Sequence, residues 1–280
     1  MTKTNLHLFT GKGGVGKTTL AMAYANYLKE KGEDVLYATI TSSNIKDRTH
    51  HESHHHVLGA LSIPYLDLVL ADCAEAYISK KMNSKMIGAA VVKTPFFKSL
   101  INMIPGFSYL IFMGRLLEEI HYSGNKKIII FDSPASGHTL TLLESTQNFN
   151  DIFQSGLLFE DTKKMLSLIH SPEFMGIHII TNLTEMSLIE GLELKQTIQG
   201  LGFKNISTIA NNAMTLIPNI DDEKNLPEFL KGKIKLENEL LLQFKNQIQN
   251  FIPHIPETDA VSLIKALAPH IESLVKSTPI

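Results

Sequence analysis

The residues from Gly11 through Thr18, GKGGVGKT, fit the pattern G-x-x-x-x-G-K-[ST] and stand between an apolar run and an amphipathic one. That chemistry is phosphate binding. Glycines let successive backbone N–H groups turn inward around phosphate oxygens, and a helix opening near Lys17 aims its positive end at the same charge. Lys17 is the residue to reach β and γ phosphates, Thr18 to ligate Mg²⁺ through its hydroxyl, and Thr19 to hydrogen-bond an α phosphate. Gly11, Lys12, Gly13, Gly14, Val15 and Gly16 complete the loop. The competing reading is a glycine-rich turn with no ligand. Asp132 closes the β-branched run Lys126 to Phe131. A carboxylate so placed holds Mg²⁺, commonly through water. ATP and Mg²⁺ are therefore the expected ligands.

The elements that position these groups follow from patterning. Asn5 to Thr10, Val35 to Ile40, Lys126 to Phe131, Ile177 to Thr181 and Ile206 to Ala210 read as short buried strands. Helices are expected over Lys17 to Lys31, closed by Gly32, and over about Met186 to Gly200. Strands alternating with helices predict an α/β fold, a parallel sheet flanked by helices. Val57 to Tyr122 reads as helical, broken at Pro64, Pro95 and Pro105-Gly106. The expectation is one domain over residues 1–280, with residues 57–122 as an inserted helical subdomain. The polar stretch Thr41 to His56 reads as a loop. Its histidines, His50, His51, His54, His55 and His56, are either solvated or able to bind zinc, nickel or copper.

Composition sets the outer bounds. The 280 residues carry 26 Lys and Arg against 28 Asp and Glu, so no net charge draws the chain to nucleic acid or an anionic membrane. A single cysteine, Cys73, excludes an internal disulfide and any zinc site built from several cysteines of this chain. It reads as a small buried hydrophobe. No secretion signal opens the sequence, and Ser99 to Gly114 is too short and too broken for an integral membrane span. The chain reads as soluble and cytoplasmic.

The second lysine of the loop, Lys12, makes this the deviant Walker motif. It resembles the loop of the ParA, MinD, nitrogenase iron-protein and ArsA group of dimeric ATPases. The resemblance implies that Lys12 reaches a partner subunit's nucleotide, where its charge would act as an arginine finger does. A plain solvated loop lysine is the alternative. Asp132 to Leu140, DSPASGHTL, resembles the D-x-P-x-x-G-H-T-L switch of the ArsA and GET family, with Ser136, Gly137 and His138 at its centre. Thr181 to Glu190, TNLTEMSLIE, is similar to that family's T-x-P-E-E-M-P-V-x-E, and Ala210-Asn211-Asn212 follows at the family spacing. Asn211 is thereby implied as the adenine reader, an amide offering both donor and acceptor; otherwise it is a turn residue at a strand end. The resemblance covers about residues 4 to 215. Phe251 to Leu263 is similar to a degraded adenine-covering loop.

Departures from the family pattern shape the functional expectation. Ile40 to Asp47, ITSSNIKD, stands where the family has D-P-A-H-N-L-S-D, so the water-orienting aspartate is Ile40, which can neither accept a proton nor position water. Asn44 and Asp47 remain. Leu183 and Thr184 replace the proline and first glutamate of the later motif, while Glu185 remains. Lone Cys73 cannot build a thiolate cage for trivalent arsenic. Met82, Met86, Met103 and Met113, with Phe96, Phe97, Phe107, Tyr109, Ile111 and Phe112, fall in the segment that binds hydrophobic clients in targeting factors; ordinary helical core is the alternative. Pro105-Gly106-Phe107 and Gly114-Arg115-Leu116 resemble elements of bacterial, non-arsenical members. The resemblance thus implies an ATPase switch that hydrolyses ATP as a dimer, pairing with itself or a homologous ATPase subunit, while it moves a client protein or controls an envelope process. The second implied reading is a catalytically impaired subunit beside an active homologue.

Overall fold

In the computed structural model, residues 4–41, 45–152, 155, 157–217 and 226–277 are described. Seven strands form one parallel sheet in the order β3-β2-β4-β1-β5-β6-β7. They are β1 (Leu6–Gly11), β2 (Val35–Ile40), β3 (Tyr65–Leu68), β4 (Ile128–Asp132), β5 (Met175–Asn182), β6 (Ile206–Ala213) and β7 (Asn250–Pro253). The five expected strands are all present. Two short ones, β3 and β7, are added at the sheet edges. β3 falls inside the run read as helical; Tyr65 to Leu68 pairs with β2 because the backbone after Pro64 is extended and completes that edge.

Alternation along the strands buries both faces. Leu6, Leu8, Ile129, Phe131, Ile177 and Ile179 point to one side, while Phe9, Ile128, Ile130 and Ile180 point to the other. The second side is covered by α1 (Lys17–Glu30), α11 (Ala260–Ala266) and α12 (Ala268–Ser277), the first by α6 (Phe107–Tyr122), α7 (Ser136–Ile152) and α9 (Glu185–Gly200). Between β3 and β4 run four consecutive helices, α3 (Leu70–Lys81), α4 (Lys85–Lys93), α5 (Pro95–Met103) and α6. α5 begins on the Pro95 that breaks the pattern, with the Thr94 side chain accepting from Phe97 N–H as its cap. α8 (Leu157–Ile169) follows α7, and α10 (Glu228–Phe244) precedes β7.

The polar stretch read as a loop is largely helix, α2 (Ile45–Ala60). Tertiary contacts override its weak amphipathicity. Leu58 is fully buried against the α1 side of the sheet, and the His55 ring stacks on Tyr65 and pairs with Asp67 at 3.0 Å. Asn44 lies outside the described residues, and so do the side chains of Asp47, His50 and His51. Among the described residues no histidine, cysteine and carboxylate cluster suits a metal ion. Cys73 is buried as expected, and burial pushes its thiol up to about 11. Among the described residues no single helix is long and apolar enough to cross a membrane; α5 and α6 reach that length only as a pair bent by 100°.

A polar string threads the α1 side of the sheet. His7 Nδ1 and His178 Nε2 lie 3.0 Å apart, and His178 Nδ1 is 2.8 Å from Ser207 Oγ. Burial holds both imidazoles neutral, His7 well below its usual range and His178 down to about 4. The unfolded chain takes up protons here once pH falls below about 6.5, and the folded chain does not. Stability is therefore fully present above pH 6.5 and declines toward pH 4, by up to ~1.4 kcal/mol per pH unit for each histidine. Urea denaturation at pH 7.5 and 5.0 should show that loss, and the double variant His7→Gln/His178→Gln should show a clearly smaller one.

Candidate functional site

The strand order places the site. The crossover from β1 to β2 passes over β4 in one direction, and that from β4 to β5 passes over β1 in the other. A crevice therefore opens at the carboxyl ends of β1 and β4, where open α/β sheets take their ligands. The loop from Gly11 to Gly16 lies across it and leads into α1 at Lys17.

A positive φ and a close neighbour together demand glycine at two loop positions. Gly11 has φ 145°, and a Cβ there would stand 2.2 Å from the Ile180 carbonyl oxygen. Gly16 caps α1 with φ 89°, and a Cβ would meet the Asn211 side chain at 2.4 Å. Asn211 Nδ2 donates to the Val15 carbonyl at 2.9 Å, which ties the end of β6 to the loop and leaves the amide oxygen as an acceptor. Lys17 Nζ curls back over the loop, 3.5 Å from the Lys12 carbonyl. Gly13, Gly14 and Thr19 stand in the same loop and first turn, with Gly14 and Thr19 lining a cleft of about 250 Å³.

Beneath the loop, Thr18 Oγ1 donates to Asp132 Oδ2 at 2.7 Å, and Tyr37 OH donates to the same oxygen at 2.9 Å. Burial pushes the Asp132 carboxyl up, while these hydrogen bonds, Lys17 and His54 of α2 pull it back; the net displacement is upward. Burial and the Asp132 charge push the Tyr37 phenol well up, so it stays a donor. Asp132 Oδ1 is buried without a hydrogen-bond partner among the described residues. A buried, partnerless carboxylate oxygen beside a threonine hydroxyl fits a hard, oxygen-seeking cation or its water, so Thr18 and Asp132 suit Mg²⁺.

The following segment is bonded back to β1. Ser133 Oγ donates to the Phe9 carbonyl at 2.8 Å, and Thr10 Oγ1 donates to Thr139 Oγ1 at 2.8 Å. Ser136 and Gly137 line a cleft of about 400 Å³ with Gly11, Lys12 and Glu190. His138 Nδ1 lies 2.9 Å from Tyr109 OH of α6. Lys12 Nζ pairs with Glu190 of α9 at 2.7 Å, both side chains partly exposed. The residues singled out for phosphate chemistry thus fall on two clefts, Gly11, Lys12, Ser136 and Gly137 on the larger and Gly14, Gly16, Thr19 and Asn211 on the smaller.

Some participants were not singled out from sequence. Tyr37 reads as a buried strand residue until β2 is set beside β4. Asn182 and Asn212 line the smaller cleft with Asn211, and His254 hydrogen-bonds Asn212 there. Their signal was present in part, since Asn182 sits within the quoted motif and His254 within the loop Phe251 to Leu263. Ile40 ends β2 one residue beyond Thr39, the partner of Asp132, and packs against the core.

With this geometry in view, the sequence profile that matches residues 4–166 decides the relationship. The chain belongs to the anion-transporting ATPase family. The ArsA and GET resemblance is thereby confirmed, and the chain is a nucleotide-binding ATPase-type protein. It is similar to ATPase BagA of Mycobacterium tuberculosis, 22% identical over 254 residues that cover 83% of this chain and 71% of that one. An ATPase ASNA1 homolog of Cryptosporidium parvum is 27% identical over 201 residues, 68% of this chain and 52% of its own. The arsenical pump-driving ATPase of Escherichia coli is 23% identical over 239 residues, 74% of this chain and 39% of its own.

Loop geometry gives a sharp contrast between two glycines of this ATPase-type site. Gly11→Ala forces a Cβ into a carbonyl oxygen and should destabilise the fold by more than ~2 kcal/mol. Gly13→Ala meets nothing within 4 Å and should stay within ~0.5 kcal/mol of wild type. Urea midpoints for the two variants are the measurement.

Proposed function

We propose that this protein is a Mg²⁺- and ATP-binding switch that works as a dimer and couples nucleotide state to a protein partner. The observation that carries the reading is the Thr18–Asp132 contact beneath the phosphate loop, with Asp132 Oδ1 left partnerless. In this reading the loop amides from Gly11 to Gly16 and the start of α1 cradle the phosphates, and Lys17 neutralises β and γ oxygens. Thr18 and Asp132 hold Mg²⁺, which when bound offsets the charge of the same oxygens. Thr19 serves the α phosphate. Asn211 presents its amide to the base from the neighbouring cleft. Ser136, Gly137 and His138 sense the γ phosphate and pass its presence to α6 through Tyr109.

Lys12 is held in cis by Glu190 in the single chain. Such an exposed pair is worth little, ~0–1 kcal/mol, and gives way readily. Lys12 would then serve a second subunit's γ phosphate, which makes a two-fold or pseudo-two-fold pair the working assembly. The partner protein is drawn as hydrophobic because Met82, Met86, Phe96 and Met103 of the inserted helices are 55%, 81%, 75% and 77% exposed. Met113 of the same set is fully buried and belongs to the core. An arsenic-handling role finds no support, since Cys73 stands alone and buried. Nucleic acid finds none in the charge balance. A cytoplasmic setting suits a reduced thiol and an ATP-dependent switch.

Ile40 favours a second reading, in which this chain binds nucleotide but relies on a homologous subunit for turnover. No acid stands at its place on β2, and lost positioning groups typically cost 10²–10⁴ in rate. Calorimetry should show Mg·ATP binding by wild type and none by Lys17→Ala; unchanged affinity in that variant overturns the site. Turnover of the purified chain should fall well below ~1 per second, the lower end of ordinary enzyme rates. Ile40→Asp should raise it if the missing carboxylate is the cause. Brisk hydrolysis by wild type would place water activation on another residue. Native mass spectrometry with a non-hydrolysable ATP analogue should show a dimer for wild type and a weaker one for Lys12→Ala.

A further inference from the structure

β2, VLYATI, carries a phenol where a plain ring would pack equally well. Tyr37 is 1% exposed and belongs to the core on the α1 side, with Phe9, Val35 and Ile130. Phenylalanine would fill that space without a hydroxyl to desolvate. The hydroxyl has a use of its own: it donates to Asp132 Oδ2 at 2.9 Å. Strand register makes the contact. Tyr37 lies beside Ile130 and Thr39 beside Asp132, so alternation sets Tyr37 and Asp132 on one face, two residues apart along the strands. A second carboxylate, Asp67, stands near enough for its charge to act on the phenol, but His55 already pairs with it at 3.0 Å.

The two oxygens of Asp132 are thereby made unequal. Oδ2 accepts from Tyr37 and also from Thr18, at 2.7 Å, and a carboxylate oxygen has two lone pairs to give. Both are spent. Oδ1 is buried and has no hydrogen-bond partner among the described residues. Thr18 spends only its proton on Oδ2, so its own lone pairs stay available to a cation. Without the phenol, Oδ2 would regain a lone pair and the carboxylate would have both oxygens to offer one ion. Mg²⁺ and Ca²⁺ part on this point. Mg²⁺ demands a near-ideal octahedron and keeps much of its water, whereas the larger Ca²⁺ takes more oxygens and accepts a carboxylate through both of them.

We infer that Tyr37 sets the cation preference of the nucleotide site: by closing Oδ2 it leaves Asp132 a one-oxygen acceptor, which suits Mg²⁺ and disfavours Ca²⁺. Tyr37 is a positioning residue and acts through Asp132. The inference rests on the Mg²⁺- and ATP-binding reading above and adds to it a residue that the phosphate-loop pattern does not specify. That pattern fixes residue types within one loop, whereas this preference comes from the pairing of β2 with β4.

The test is calorimetry of the full chain with a non-hydrolysable ATP analogue at pH 7.5, in EDTA, in Mg²⁺ and in Ca²⁺. Wild type should bind the analogue about tenfold or more tightly with Mg²⁺ than with Ca²⁺. Tyr37→Phe and Tyr37→Met should each cut that ratio by about fivefold or more, the order expected of one hydrogen bond to a charged group. Affinity in EDTA should stay within about twofold of wild type, and with the thermal midpoint it shows which variant has kept its fold. An unchanged ratio in a folded variant overturns the inference, as does a wild-type ratio near one. A folded variant that loses affinity in EDTA also overturns it, because Tyr37 would then serve the nucleotide and not the cation. A crystal structure of wild type with Ca²⁺ and the analogue needs no variant: Tyr37 should still donate to Oδ2, and a carboxylate that turns both oxygens to the ion overturns the inference. Failure of the underlying reading looks different. Wild type would then bind no analogue under any condition, or Asp132→Asn would keep the whole gain in affinity that Mg²⁺ brings, and either result removes the inference with it.

Discussion

One buried carboxylate organises the molecule. Asp132 ends β4 at the centre of the sheet, out of reach of bulk water, and a bare charge there would be prohibitive. Thr18 from α1 and Tyr37 from β2 both donate to one of its oxygens, and Lys17 faces it with a positive charge. Three segments distant in sequence are thus brought to one point by a single electrostatic requirement. The other oxygen remains without a partner among the described residues. It is the oxygen that the proposed Mg²⁺ or its water would meet.

Around this point the chain is tied together by few bonds of small individual strength. Ser133 and Thr139 fasten the segment after Asp132 to the end of β1, and Asn211 fastens β6 to the phosphate loop. His138 touches Tyr109 of α6, which itself packs against the core beside Leu110 and Met113. Lys12 and Glu190 meet at the exposed rim of the crevice. The exposed Lys12–Glu190 pair costs little to break, whereas the buried Thr10–Thr139 and Ser133–Phe9 bonds hold unless a new partner replaces them. The sheet beneath them is buried on both faces.

The insertion between β3 and β4 has two characters. Its inner side is core, with Met113, Leu116 and Ile120 almost fully buried. Its outer side keeps Met86, Phe96 and Met103 in solvent, and Phe96 lines a mostly apolar pocket there that is open to solvent. A methionine and phenylalanine count cannot separate these environments, because the same residue types serve in both.

What the amino-acid sequence determined by itself is local in kind. The spacing of Gly11, Gly16, Lys17 and Thr18 announces a glycine-rich turn into a helix, the pattern that the proposed phosphate binding requires, with neighbouring backbone amides and one turn of helix. The β-branched run into Asp132 announces a doubly buried strand, because its apolar content permits little else. Tertiary structure decided whatever depends on which strand lies beside which. Tyr37 reaches Asp132 only because β2 pairs with β4. Tyr65 to Leu68 is a strand only because β2 offers a free edge. The histidine-rich stretch is helical because Leu58 and His55 find the sheet, not because its own pattern favours a helix. Glu190 became the partner of Lys12 across 178 residues, and no periodicity within either segment encodes that distance.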